Sequence, residues 1–218
     1  MYTLGRQYKE DKRDKEYPIK QVKFSANKRK KTWNDGKWLG DQGDTPACVG
    51  FAWAHWLTSR PISQFAQPTG IYTLAQFLDE WESEDYDGTS VRAGAKVLKH
   101  LGFIKEYRWA NSINDVINTI LNTGPVVVGT IWTENMFDTE DGFLIPTGEI
   151  VGGHAYLLFA VDTKNETFTM KNSWGRNWGN NGYAYIDFSD FEILLKEDGE
   201  TCLGIESKPS FSGKFKNK

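Results

Sequence analysis

The stretch DQGDTPACVGFAWAHWL, Asp41 to Leu57, decides how this chain is read. Thr45 is a good N-cap, Pro46 suits the first helical position, and Phe51, Ala52, Ala54 and Trp56 follow as in a helix buried on most sides. A helix over 46–58 puts Cys48 in the first turn, where unpaired N–H groups and the positive end of the helix dipole favour a thiolate over a thiol. Gln42 lies upstream in a loop broken by Gly43, so its amide can fold back over the helix start. That would set an anion-stabilising donor beside the N–H of Cys48.

Two later stretches supply partners for the thiol: GGHAYLL around His154, and KNSWGRNWGNNGYAYI from Lys171 to Ile186. His154 opens a strand after Gly152 and Gly153 and is the expected base, with Asn172 accepting its ring N–H and holding the imidazole in the productive orientation. Trp174 can lie over that hydrogen bond and shield it from water, and Trp178 packs the following loop. His55 follows Cys48 on the same helix about 10 Å along the axis, too far for a hydrogen bond to the sulfur. His100, in VLKHLGF, reads as a surface or half-buried helix residue.

On these residues the chain resembles the papain-like cysteine peptidases. Gln42 matches the oxyanion glutamine, Cys48 the nucleophile, His154 the general base and Asn172 the orienting residue, in the family's order; KNSWG followed by WGNNGY is the most specific piece. The match runs from about Trp33 to Phe211, where CLGIESKPSF resembles the family's closing strand. The resemblance implies an α+β, papain-like two-lobed fold: a helical N-terminal lobe, an antiparallel β-barrel-like C-terminal lobe and the active site in the cleft between them. It also implies a cysteine endopeptidase that attacks a scissile carbonyl through the Cys48 and His154 ion pair. The oxyanion is held by Gln42 and the Cys48 N–H, and a thioester is then hydrolysed. By the same resemblance Asp87 and Gly88 line the substrate cleft, together with Gly153 and Trp174; no metal or cofactor is implied. The chain departs from the family's usual surroundings of the nucleophile, since Thr45 stands where a disulfide cysteine would and Val49 replaces a large aromatic. A transamidase or cell-wall peptide amidase using the same thiol, and a non-catalytic binding module on this scaffold, are the alternative readings.

Composition bounds the rest. The 218 residues suit one two-lobed unit, and nine Trp with thirteen Phe exclude disorder across the whole chain. No apolar run of about 18 residues suggests a membrane span, and the polar N-terminus lacks the apolar core of a secretory signal. Only two cysteines are present, so Cys202 has no structural partner if Cys48 is the nucleophile. This favours a reducing compartment, and hence a cytoplasmic, bacterial or phage-type enzyme, over the bland alternative of a Cys48–Cys202 bridge. Residues 1–40 hold twelve Lys or Arg against five Asp or Glu, a balance of +7, and the remainder hold fourteen against twenty-four, a balance of -10. A basic arm, 1–32, is thus joined to an acidic catalytic domain, 33–218.

The arm is too short for the long inhibitory pro-segment of cathepsin-like relatives. It is expected to dock on the acidic body through Tyr17, Ile19, Val22 and Phe24 without inhibiting. Contact with nucleic acid or another anionic surface, and an autoinhibitory arm that blocks the cleft, are the less favoured alternatives. The expected partners are a protein or peptide substrate and a regulatory protein, with no membrane and a monomeric state. Along the domain, helices are expected over 70–81, 90–101 and 112–121, and strands over 126–132, 154–162, 167–173 and 182–188. The mainly helical lobe is then 33–110 and the mainly β lobe 111–218.

Overall fold

A computed structural model describes residues 2–19, 28–81 and 86–207. The arm positions Val22 and Phe24 and the expected end at Phe211 lie outside the described residues.

In chain order the elements are β1 (Lys30–Thr32), α1 (Cys48–Thr58), α2 (Pro68–Gln76), α3 (Val91–His100), β2 (Ile104–Trp109), α4 (Ile113–Asn122), β3 (Val126–Thr133), β4 (Ile150–Asp162), β5 (Thr167–Lys171), β6 (Tyr183–Asp187), α5 (Phe188–Lys196) and β7 (Glu200–Glu206). The strands form one antiparallel seven-stranded sheet in the order β2-β7-β3-β4-β5-β6, with β1 paired to β4. Since β2 belongs to that sheet, strand pairing begins before residue 111.

Strand β4 explains how two cores share one sheet. Its side chains alternate, so Ala155 and Leu157 join a core with Trp53, Trp56, Leu57, Ile71 and Leu98 from the helices. Tyr156 and Leu158 join a second core with Val128, Trp132, Phe168, Trp174 and Phe191. A strand buried on both faces reads as an almost continuous apolar run, as HAYLLFAV does.

Helix α1 is buried from Cys48 through Leu57, which fits its apolar sequence on all sides. Its indoles are satisfied from outside the helix: Trp53 Nε1 donates to the Val91 carbonyl at 3.0 Å and Trp56 Nε1 to that of Pro125 at 3.1 Å. The starts of α3 and α4 follow their sequence signals, with the hydroxyls of Ser90 and Ser112 accepting from the N–H groups of Ala93 and Asp115.

Helix α1 starts later than the sequence suggests. Its N-cap is Ala47, with no side-chain cap, and the Thr45 hydroxyl donates instead to the Gln42 carbonyl at 2.6 Å. Helix α2 begins at Pro68, before the expected start at 70, because proline is well suited to a first helical position, and it stops at Gln76, short of 81.

Candidate active site

The uncapped start of α1 is the first element of the site. Because no side chain takes up its leading N–H groups, those of Cys48 and Val49 stay available to an anion. Gln42 is held against this helix end by the following motif: its N–H donates to the Ser173 carbonyl at 2.8 Å, and its Oε1 accepts from the Ser173 hydroxyl at 2.6 Å. With Oε1 so engaged, the Gln42 NH₂ is turned toward the groove. The loop before it is tied down by Asp35, whose carboxylate meets buried Lys171 at 2.9 Å and the Tyr183 hydroxyl at 2.6 Å.

His154 lies on β4, where the Nε2 ring atom and Asn172 Oδ1 stand 2.7 Å apart. The same oxygen accepts the backbone N–H of Ser173 at 2.8 Å, so it acts as an acceptor and Nε2 carries the proton. Nδ1 is then the basic nitrogen; it is buried and has no hydrogen-bond partner. The next residue, Ala155, presents its backbone toward the Cys48 sulfur, which places the thiol beside the His154 segment of β4. Trp174 covers the ring at a centroid distance of 4.5 Å, and Trp132 meets it edge-on at 4.7 Å.

The arm occupies this groove. Tyr2 stacks on Trp174 with ring centroids 4.5 Å apart, and the Thr3 carbonyl accepts from Gln42 Nε2 at 3.0 Å. The N–H groups of Gly5 and Arg6 share the Gly153 carbonyl at 3.2 and 3.0 Å. Thr89 donates to the Gly5 carbonyl and receives the N–H of Gln7, both at 2.9 Å. The Gln7 side chain reaches the Asp87 carbonyl at 3.0 Å.

Backbone fits against backbone here only because of glycine. A Cβ on Gly5 would lie 1.9 Å from the Pro46 carbonyl oxygen, and one on Gly153 would lie 2.4 Å from the Arg6 carbonyl oxygen. The arm therefore does more than dock on the acidic body, as the sequence suggests it would. Residues 2–7 thread between the lobes, because Gly5 and the glycines facing it let main chain approach main chain. The next segment, residues 11–14, is anchored on α3, where buried Arg92 pairs with Asp14 and stands 3.7 Å from Asp11.

Burial sets the protonation states. Cys48 has no exposed surface, and desolvation pushes its thiol up to about 11 despite nearby backbone N–H groups of Ala155, Gly5 and Val49. Desolvation likewise holds His154 down to about 4, against the opposing effect of its hydrogen bond to Asn172. The expected thiolate and imidazolium pair is therefore not the state of this arm-closed chain: both groups are neutral, because water is excluded from them.

All four expected catalytic groups meet in this groove, and each of Asp87, Gly88, Gly153 and Trp174 touches or adjoins the arm; a Cβ on Gly88 would lie 2.3 Å from the Gly5 carbonyl oxygen. Cys48 and Cys202 are both free. His55 belongs elsewhere, accepting the Gly40 N–H at 3.0 Å. Sequence reasoning missed Ser173, although it sits inside the KNSWG motif, and Trp132, which faces Gly152 across the β3–β4 pairing. It also missed the role of Gly5, whose signal is a glycine in an otherwise bulky, charged arm.

The sequence matches the family described as papain family cysteine protease over residues 69–208, and the chain belongs to that family. It is 28% identical over 139 residues to an uncharacterized peptidase C1-like protein of Acanthamoeba polyphaga mimivirus, covering 57% of this chain and 44% of that protein. It is 31% identical over 113 residues to a cysteine protease of Blomia tropicalis, covering 50% of this chain and 31% of that one. The chain thus spans less than half the length of these relatives. Among solved structures, xylellain, a cysteine protease from Xylella fastidiosa, superposes with a TM-score of 0.75 at 18% identity, over 95% of this chain and 96% of that one. Digestive procathepsin L 3 of Tenebrio molitor gives 0.68 at 14% identity, over 86% and 73%. These two likenesses establish the common fold.

Proposed function

We propose that this chain is a cysteine endopeptidase kept latent by its own first residues. The observation that carries the reading is the His154 and Asn172 pair: it engages Nε2 and leaves Nδ1 as the free base, on a strand whose next residue, Ala155, meets the Cys48 sulfur. When the arm leaves and water enters, desolvation no longer penalises charge, so the Cys48 proton can pass to His154 Nδ1 and give the reactive thiolate. The thiolate attacks the scissile carbonyl. The developing oxyanion meets the Gln42 amide and the leading N–H groups of α1, which the Thr3 carbonyl now faces in part. His154 gives its proton to the leaving amine, and water releases the acyl group through a second oxyanion of the same kind.

The same reading assigns the enzyme to a reducing compartment, supported by two free, buried cysteines in a fold without disulfides among its described residues. No helix among the described residues is long and apolar enough to cross a membrane. The test is hydrolysis of a denatured protein by a full chain carrying Gly5→Glu, which the Pro46 carbonyl evicts from the groove. Cleavage that disappears with Cys48→Ala is expected. An arm-released chain that folds, binds peptide and cuts nothing would refute the reading.

A further inference from the structure

The arm also reveals a pocket whose chemistry the catalytic groups do not use. Glu200, on β7, is 8% exposed, and among the described residues the cation in contact with it is Arg6: Nε donates to Oε1 at 3.2 Å. Nη2 of the guanidinium donates to the Asp198 carbonyl. Space for the group comes from Gly129, which stands opposite Glu200 in the β3–β7 register. A Cβ there would lie 2.8 Å from Arg6 Nε, 2.9 Å from Val91 and 3.1 Å from Glu200 Oε1. Gly129 interrupts a run of valines within a central strand, where glycine is unfavourable. Its backbone angle is not one that requires glycine, so the missing side chain serves as room.

We propose that Glu200, Gly129 and the Asp198 carbonyl form a specificity pocket for an arginine side chain of the substrate, occupied in the latent chain by Arg6. This rests on the peptidase reading above. The register supports it, because the Arg6 N–H is held by Gly153 and its neighbours Gly5 and Gln7 are held by Thr89. A substrate main chain using those backbone groups drops its side chain into the same pocket. Electrostatics favours such an occupant: once the arm leaves, Glu200 has lost its guanidinium, and an arginine side chain there restores the charge-assisted hydrogen bond that Arg6 makes. Arg92 acts on it only at longer range and retains Glu80, at 3.6 Å, when the arm has gone. The two acceptors, a carboxylate oxygen and a backbone carbonyl, are met by two different nitrogens of the guanidinium, which suits the fork of arginine better than the point charge of lysine.

The experiment uses the full chain with Gly5→Glu, and in parallel with Arg6→Ala in case the first variant folds poorly. Each is combined with Glu200→Gln. A peptide library is digested and the cut sites are mapped by mass spectrometry. Separately, uncut short peptides differing only in Arg, Lys, Leu or Glu at one position are tested for protecting Cys48 from alkylation. Arginine should be enriched at one fixed position beside the cut, with kcat/KM above that for leucine by on the order of 10²-fold, and Glu200→Gln should reduce the ratio to a few-fold. Arginine peptides should protect Cys48 best, again only with Glu200 intact. Cleavage or protection indifferent to arginine, or unchanged by Glu200→Gln, overturns the pocket and leaves the peptidase reading standing. Glu200-dependent protection without any cleavage upholds the pocket and overturns the peptidase reading.

Discussion

Two sets of polar contacts meet in the groove, and they differ in who supplies the partners. The network of Gln42, Ser173, Asn172 and His154 is closed within the catalytic body, so every bond in it survives when the arm moves. The second set is divided: Glu200 is paired by Arg6, Arg92 by Asp14, and the Gln42 NH₂ in part by Thr3, each across the boundary between arm and body. The first set holds the machinery in shape whether or not it is covered. The second defines what the open groove lacks, and hence what a substrate must bring.

Breaking the inner set should have the largest effect. In the Gly5→Glu background, Cys48→Ala and His154→Ala should each abolish measurable peptide hydrolysis, and Gln42→Ala should lower kcat by about 10²-fold through loss of one oxyanion donor. Hydrolysis at the unsubstituted rate by Gln42→Ala would show that the anion is stabilised elsewhere. Ser173→Ala removes the bond that turns Gln42 toward the groove, so kcat should fall about tenfold with KM nearly unchanged. Equal losses from Ser173→Ala with and without Gln42 present would contradict that positioning role.

The divided set is broken from the arm side. Gly5→Glu alone should raise kcat/KM on a short peptide by more than about tenfold over the unaltered chain, since only the open fraction binds substrate. Asp14→Ala should release the arm less, by a few-fold, because Arg92 retains Glu80 and the groove contacts of residues 2–7 are untouched. A larger rise from Asp14→Ala than from Gly5→Glu would mean that the anchor on α3, and not the threading through the groove, keeps the chain closed.

Acid sharpens the same contrast. In the closed chain burial holds His154 down to about 4, whereas a solvated imidazole protonates near 6.5. The open and unfolded states therefore bind the proton first. The stability of the closed state is fully present above about pH 6.5 and declines as pH falls toward 4, by up to about 3 kcal/mol from this ring. His55, also depressed by burial, acts in the same direction. Comparing the chain with His154→Gln by thermal unfolding between pH 7 and 4 isolates the contribution; an identical pH slope in the two proteins would remove it.

Much of this was legible in the sequence, and the reasons are local. Cys48 and Gln42 announce themselves through helix-start chemistry, and His154 and Asn172 through a strand opening and a glycine-bounded motif. The almost continuous apolar run of β4 marks a strand, and the structure buries it on both faces. What escaped is what depends on long-range approach. Nothing near Gly5 in sequence tells that Pro46 lies against it, and nothing near Glu200 tells that Gly129 stands opposite across the sheet. The basic charge of the arm pointed to docking on an acidic surface. Its structural use is narrower: one arginine fills one recess, and two arm aspartates pair with an arginine of the body, a reversal of sign that net charge conceals. In the closed chain burial opposes the expected thiolate for a related reason, since the helix start favours the anion less where water is excluded.

The most direct test of a latent enzyme closed by its own arm is the rate of Cys48 alkylation at pH 6, followed by peptide mass spectrometry with buried Cys202 as the internal reference. In the unaltered chain Cys48 should be nearly as unreactive as Cys202, because both are neutral and without solvent exposure. In the Gly5→Glu chain Cys48 alone should be labelled rapidly, while Cys202 stays protected. Rapid labelling of Cys48 in the unaltered chain, at the rate found in the variant, would contradict the account.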